Sequence, residues 1–262
     1  MARADSGGTS IYYERHGSGP AIMFVHGSGG HHAAWWHQVA TLSRDFTVVT
    51  VDLRGFGNSD SSMPEFDGQD FPGDLIAVLD QEDLTDVMVV GQSIGAVAAL
   101  RAGLSRPDRI SMAVLAHSLG GISDPELTPL VDADRAEAVK LPVIDRLLSR
   151  RFQREQPEKT FLFRQMGTFN VATMQDLRNL SANGPTIAEI AASPVQVAFL
   201  AGEKDAVISV RTVERAHEMV EGSVLKVIPN APHSMYWETP ALFNAAVTVL
   251  RNELTARKAA TA

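Results

Sequence analysis

VVGQSIGAVAAL, residues 89–100, passes from an apolar strand through a glycine-flanked serine into an alanine-rich helix. A continuous Val-rich run suits a strand covered on both faces of a sheet, and alanine favours the helix that follows. Ser93 lies at the joint. Gly91 and Gly95 let the chain turn sharply there and let the new helix pack close to the strand it leaves. The hydroxyl is then pushed out over the carboxyl ends of the strands, where open parallel sheets bind their ligands. The helix starting at Ile94 aims unpaired N–H groups at the same place. A bare G-x-S-x-G is weak, and Ser is also a good helix cap. Strand, motif and helix in that order form the pattern of a nucleophile elbow.

Similar apolar runs recur along the chain. AIMFVHG (21–27), TVVTVDLRG (47–55), VMVVGQS (87–93), ISMAVLAH (110–117), VQVAFLAG (195–202) and VLKVIP (224–229) are rich in Val and Ile and end in Gly, Pro or polar residues. Helical patterns at about 31–43, 70–82, 94–106, 209–221 and 239–256 alternate with them. Such alternation predicts an α/β fold, a mostly parallel β-sheet flanked by helices. SIYYERHG (10–17) alternates more clearly and is expected as an antiparallel edge strand. Residues 120–190 break the rhythm, with three or four short helices split at Pro142, Pro157 and Asn170-Val171 and no convincing strand. A structureless loop of that length is implausible, so a helical insertion is expected, dividing the chain into core (1–119), insertion (120–190) and core (191–262). The ends, 1–8 and 257–262, are expected to fray.

Composition narrows the class. With 262 residues and 45% hydrophobic content, the chain can bury a sizeable core without crosslinks. It has no cysteine, which excludes thiol nucleophiles and suits a reducing compartment. A net charge of −8 argues against a nucleic-acid surface. No apolar run approaches the roughly 20 residues of a membrane span, and the start lacks the marks of a signal peptide. A cytoplasmic protein is expected.

A serine hydroxyl needs a base to take its proton, and the base needs a third group to orient it. Among eight histidines, His233 in NAPHSMYWETP follows a strand and precedes the last helix, which puts it on the rim that carries Ser93. His217 sits in a charged helical stretch, His16 is near the amino-terminal strand, and His117 ends a strand without an evident link to Ser93. The acid should follow a strand and precede the base. Asp205 in VQVAFLAGEKDAV does so, with Glu203 as its rival; a helix-capping role is the plainer alternative for Asp205. The order Ser93, Asp205, His233 is that of the elbow class. HGSGG (26–30) follows a buried strand and offers backbone donors to an oxyanion. The Ser28 and Ile94 N–H groups are the expected oxyanion donors, with Gly29 in reserve and beside the substrate. His26 is read as structural.

The motifs HGSGG (26–30), DLRGFGNSD (52–60), GQSIG (91–95), GEKDAV (202–207) and APHSMYWETP (231–240) together resemble the α/β-hydrolase superfamily, from about residue 10 to 255 apart from the insertion. The resemblance implies an α/β-hydrolase fold with a helical cap over the site, Ser93 as nucleophile, His233 as base and Asp205 as acid. It also implies that Asp52 and Arg54 brace a loop. An aspartate at the elbow would imply an epoxide or halide hydrolase; serine implies acyl chemistry, which needs no metal and no cofactor.

The expected substrate is a small to medium, fairly apolar acyl compound, an ester or a lactone. Trp36, Phe163, Met166 and Met235 are the candidate wall residues, although cap–core packing would use the same side chains. Arg150, Arg151, Arg154 and Arg164 make the insertion locally basic, more simply as a solvated face. Metal binding by HHAAWWH (31–37) is disfavoured, since no acidic ligand is close in sequence. Three other readings stay open: hydrolysis of a C–C bond in a diketone by the same triad, a slow-turnover ligand receptor, and a cofactor-free lyase or oxygenase. Monomer and homodimer are equally open.

Overall fold

The computed structural model describes residues 2–63 and 65–261. Its strands are β1 (Ala2–Ser6), β2 (Thr9–His16), β3 (Ala21–Val25), β4 (Thr47–Val51), β5 (Phe66–Asp67), β6 (Val87–Gln92), β7 (Ile110–Ala116), β8 (Leu177–Arg178), β9 (Gln196–Gly202) and β10 (Val224–Ile228). Eight of them form one sheet in the order β1-β2-β4-β3-β6-β7-β9-β10. β1 and β2 run antiparallel to their neighbours and the rest are parallel. The helices are α1 (Trp36–Leu42), α2 (Phe71–Gln81), α3 (Ile94–Ser105), α4 (Leu127–Ala138), α5 (Val143–Leu147), α6 (Arg150–Glu155), α7 (Pro157–Met166), α8 (Ile187–Ala191), α9 (Val210–Met219), α10 (Met235–Glu238) and α11 (Pro240–Thr261).

The central strands are apolar at every position because helices cover both faces. Met23, Val25 and Val89 point into one core with Phe71 and Leu75 of α2 and the alanines of α3. Ile22, Phe24, Met88 and Val90 point into the other with Trp35, Phe243, Val247 and Leu250. Among the described residues, no helix is long and apolar enough to cross a membrane.

The chain's beginning departs from expectation. Residues 2–6 do not fray but pair with β2 and cover it, so β2 is the second strand and not the edge. The cause is the Gly7-Gly8 turn, with φ of +59° and +89°, a two-residue loop whose twist suits a hairpin. Ala4 is buried beside Ile11 as a result. At the other end α11 continues to Thr261; Met1 and Ala262 lie outside the described residues.

The segment between β7 and β9 is largely helical, with α4 to α8 and a 3-10 turn at Gly167–Phe169. Its expected fourth helix near 172–180 is absent. Leu177 and Arg178 instead pair in parallel with Phe66 and Asp67, drawing the segment onto the loop after β4. The Val171 and Ala172 N–H groups bond the Gly55 carbonyl at 3.1 and 2.8 Å.

That loop is braced from below. Arg54 donates to Asp74 of α2 through Nε and Nη2, and to Asp70 through Nη1 at 2.9 Å. Asp74 is fully buried, and removing it leaves Arg54 with the exposed Asp70 as its remaining carboxylate. Asp74→Ala is expected to lower unfolding stability by about 1–3 kcal/mol, read from urea denaturation at neutral pH.

Candidate active site

Ser93 caps α3 in a left-handed conformation, φ +54° and ψ −112°. Few non-glycine residues hold such a backbone, and those that do concentrate at functional positions. Its N–H bonds the Ala116 carbonyl at 3.0 Å, which fastens the turn to β7. A Cβ at Gly91 would fall on the Gly95 carbonyl, and one at Gly95 on the carbonyls of Val25 and His26. Helix α3 therefore lies directly on the strands, and the half-buried serine stands above their ends.

Asp205 and His233 arrive on adjacent loops, after β9 and β10. The His233 Nδ1 lies 3.0 and 2.9 Å from the two Asp205 oxygens. A carboxylate only accepts, so Nδ1 carries a proton, and in the neutral imidazole Nε2 is then the acceptor. The Val207 and Ile208 N–H groups also bond Oδ1, at 2.8 and 3.1 Å. Burial works to raise the Asp205 pKa, but the His233 charge and the two imidazole donors outweigh it and hold the carboxyl far below its ordinary range. Glu203, the rival acid, accepts the Asn230 N–H instead. The Gln92 side chain reaches from β6 to the His233 carbonyl at 3.4 Å, joining the serine's strand to the histidine's loop.

The second imidazole on Asp205 belongs to His117, whose Nδ1 is 2.9 Å from Oδ2. Sequence reading found no link between His117 and the site. The signal lies in the fold, because the ends of neighbouring strands β7 and β9 bring 117 and 205 together.

The donors proposed for an oxyanion sit in the turn after β3. Gly30 N–H bonds the Gly27 carbonyl at 2.9 Å, leaving the Ser28 and Gly29 N–H groups at the turn's centre unused by that bond. Ile94 opens α3, where N–H groups lack acceptors within the helix. His26 anchors this turn: its Nδ1 faces the Gly27 carbonyl at 2.8 Å and its Nε2 accepts the Leu53 N–H at 3.1 Å. Complete burial pushes its pKa down to about 4. It is a neutral brace.

The wall residues divide. Met235 has no accessible surface and packs with the α11 layer, so it fills core and does not line a cleft. Met166 is also buried in that layer. Phe163 meets Trp237 edge to face at 5.4 Å. Trp36 is 42% exposed and stacks on His37 at 3.5 Å. Arg150 and Arg151 pair with Asp145 and Glu155 on a solvated face. The expectation that no acid approaches the 31–37 histidines fails: Asp52, from the end of β4, lies 2.9 Å from the His32 Nδ1. It also accepts the His32 and Asn58 N–H groups, so it braces the loop. Burial opposes charge on His32, but Asp52 and Glu14 outweigh it and raise its pKa.

Two outcomes follow from this geometry. Gly95→Ala is expected to cost about 3 kcal/mol or more, because the clash is with backbone that cannot yield. Gly29→Ala, where the new methyl meets nothing within 4 Å, should stay within about 0.5 kcal/mol of the parent; chemical denaturation compares them. His26 supplies the second. The unfolded imidazole takes a proton near pH 6.5 and the folded one only near 4, so the unfolded state binds more protons between those values. Stability should therefore fall as pH drops through that window, by roughly 3 kcal/mol from this group. Urea midpoints at pH 7, 5 and 4 read the slope, and His26→Asn should flatten it.

A family model for the alpha/beta hydrolase family matches residues 22–246. Epoxide hydrolase 2 of Siraitia grosvenorii is 36% identical over 110 residues, which are 41% of this chain and 35% of that protein; the match thus spans about a third of the relative. An esterase from Thermogutta terrifontis superposes with a TM-score of 0.79 at 22% identity, covering 97% of this chain and 98% of that one. An N-acyl homoserine lactone degrading enzyme, Est816, superposes with a TM-score of 0.76 at 24% identity, covering 94% and 99%. At these identities the two structures speak for the fold. The family match covers most of the sheet and every element of the site, and the chain belongs to the alpha/beta hydrolase family.

Proposed function

We propose that this protein is a serine hydrolase that cleaves a carboxylic ester or lactone through an acyl-enzyme. The observation that carries the reading is the buried Asp205–His233 pair, with the histidine's Nε2 left as acceptor, on the rim where the strained turn raises Ser93. In this reading His233 takes the Ser93 proton as the hydroxyl attacks the substrate carbonyl. Asp205 holds the imidazole in the right tautomer and stabilises the imidazolium that forms. The Ser28 and Ile94 N–H groups receive the oxyanion, each such donor lowering the barrier by about 2.7–4 kcal/mol. His233 then returns its proton to the leaving alcohol, and water activated by the same base releases the acid.

The helical segment 120–190 acts as the cap in this scheme. In this scheme Phe163 of α7 and the exposed Trp36 supply apolar surface, which suits a small to medium substrate of low polarity. The esterase and the lactone-degrading enzyme among the fold's relatives act within this reaction class. The epoxide hydrolase resemblance covers too little of either chain to redirect the reading, and an alcohol at the elbow favours transfer of an acyl group.

Short-chain p-nitrophenyl esters and a fluorophosphonate label test the proposal. The label should add once per chain, on Ser93. Ser93→Ala and His233→Ala should each lower kcat/KM by roughly a thousandfold or more. Activity that survives Ser93→Ala but not His233→Ala would replace acyl transfer with base-only chemistry. A single slow burst together with ligand-dependent partner binding would favour a ligand receptor.

A further inference from the structure

Asp205 serves two imidazoles, and only one of them has a part in the mechanism above. We propose that His117 is a positioning residue for the acid of this site, its Nδ1–H holding the Asp205 carboxylate in place for His233 and taking a share of the charge that Asp205 presents to it. The inference rests on the triad reading and extends it by one residue.

Three independent features single out His117. Its backbone is left-handed, φ +57°, at the first position beyond β7, where glycine would fit without strain. Its N–H continues the sheet ladder onto the Leu200 carbonyl at 2.9 Å, so the strain is locked in by β9. Its side chain is wholly buried, and its Nε2 has no hydrogen-bond partner among the described residues. Burying a half-satisfied imidazole is unfavourable, and an apolar residue would fill the same space better. What the imidazole has that an apolar side chain lacks is the bond to Asp205.

Two imidazoles are the side chains that face the Asp205 carboxylate. From β7 the group facing the carboxylate is His117, and from the loop after β10 it is His233, the two rings meeting edge to face at 5.3 Å. On Asp205's own loop, Glu203 is turned to Asn230, and the exposed Lys204 lies 3.7 Å from Glu203. From α4, Asp134 is occupied by the Ser209 N–H and hydroxyl. From α10, Glu238 is occupied by Ser149. The charge of Asp205 is therefore divided between two imidazoles and its loop's N–H groups. Burial lowers the His117 pKa against the pull of Asp205, so His117 stays a neutral donor and does not compete for the catalytic proton.

The sign of its effect follows. A carboxylate relieved of one donor offers more charge to the other, which favours protonated His233 and moves the acid limb of activity to higher pH. His117→Gly removes the donor and suits the left-handed backbone. His117→Asn also tolerates that backbone and restores an amide donor. With p-nitrophenyl butyrate as probe, the midpoint of the acid limb of kcat/KM should rise by about half a pH unit or more in His117→Gly and stay within about 0.2 unit of the parent in His117→Asn. A Gly profile that superimposes on the parent's, or an Asn profile that moves with it, overturns the proposal. Imidazole N–H resonances give a readout that needs no turnover and covers the case in which His117→Gly fails to fold. The parent should show a downfield ring N–H for His117 as well as for His233, and the absence of the His117 signal likewise overturns the proposal. Failure of the fluorophosphonate to label Ser93 would instead remove the triad reading, leaving the resonances to decide whether His117 holds Asp205.

Discussion

The site depends on a backbone contact that tolerates no side chain. Gly91 lies against the Gly95 carbonyl across the turn between β6 and α3, and a Cβ at Gly95 would fall on the carbonyls of Val25 and His26 where β3 ends. That approach sets α3 against the sheet, and the burial of Ala96, Ala98, Ala99 and Ala102 keeps it there. Ser93 is left with a left-handed backbone and no room to relax. Strain of this kind lasts only where the surrounding packing over-determines it, and here two hydrophobic layers do so. Position over the rim is a consequence of the core, and the reactivity proposed for the hydroxyl is a consequence of position.

Much of this was legible in the residues because burial on both faces writes itself as unbroken apolar runs. The central strands and their helices fall where those runs predict. The loop positions of Asp205 and His233 follow from chain order and strand ends alone. What escaped the reading is what depends on neighbours far apart in the chain. His117 looks like an ordinary strand end until β7 and β9 are laid side by side. Asp52 is twenty positions from His32 and reaches it only because β4 lies next to β3. The two-residue pair of β5 and β8 carries no periodicity to detect. The first strand is a different kind of miss: Gly7-Gly8 is a hairpin signal, and it sat in a terminus expected to fray.

Histidines in this chain take opposite roles according to what their two nitrogens meet. His26 is buried between a carbonyl and an N–H, and so stays neutral. His32 lies between Asp52 and Glu14, which favour its charge in spite of burial. His117 and His233 share one carboxylate but differ at the far nitrogen, which in His117 is enclosed without a partner among the described residues. Residue type alone assigns none of these states; the partner on each nitrogen does.

Both halves of the proposed machinery are held by a buried carboxylate saturated with donors. Asp205 orients the histidine, and Asp52 ties the segment after HGSGG to the loop after β4. The helical insertion joins the second of these ties. The Asn170 side chain donates to the Gly30 carbonyl at 3.1 Å and accepts the Gly57 N–H at 3.0 Å, bridging the HGSGG turn to the Asp52 loop. A displacement of the insertion must therefore move or break a contact to the turn that carries Ser28 and Gly29. In the proposed mechanism this amide would couple the insertion to the oxyanion donors, so a change that loosens the insertion is expected to act on the chemistry as well as on access.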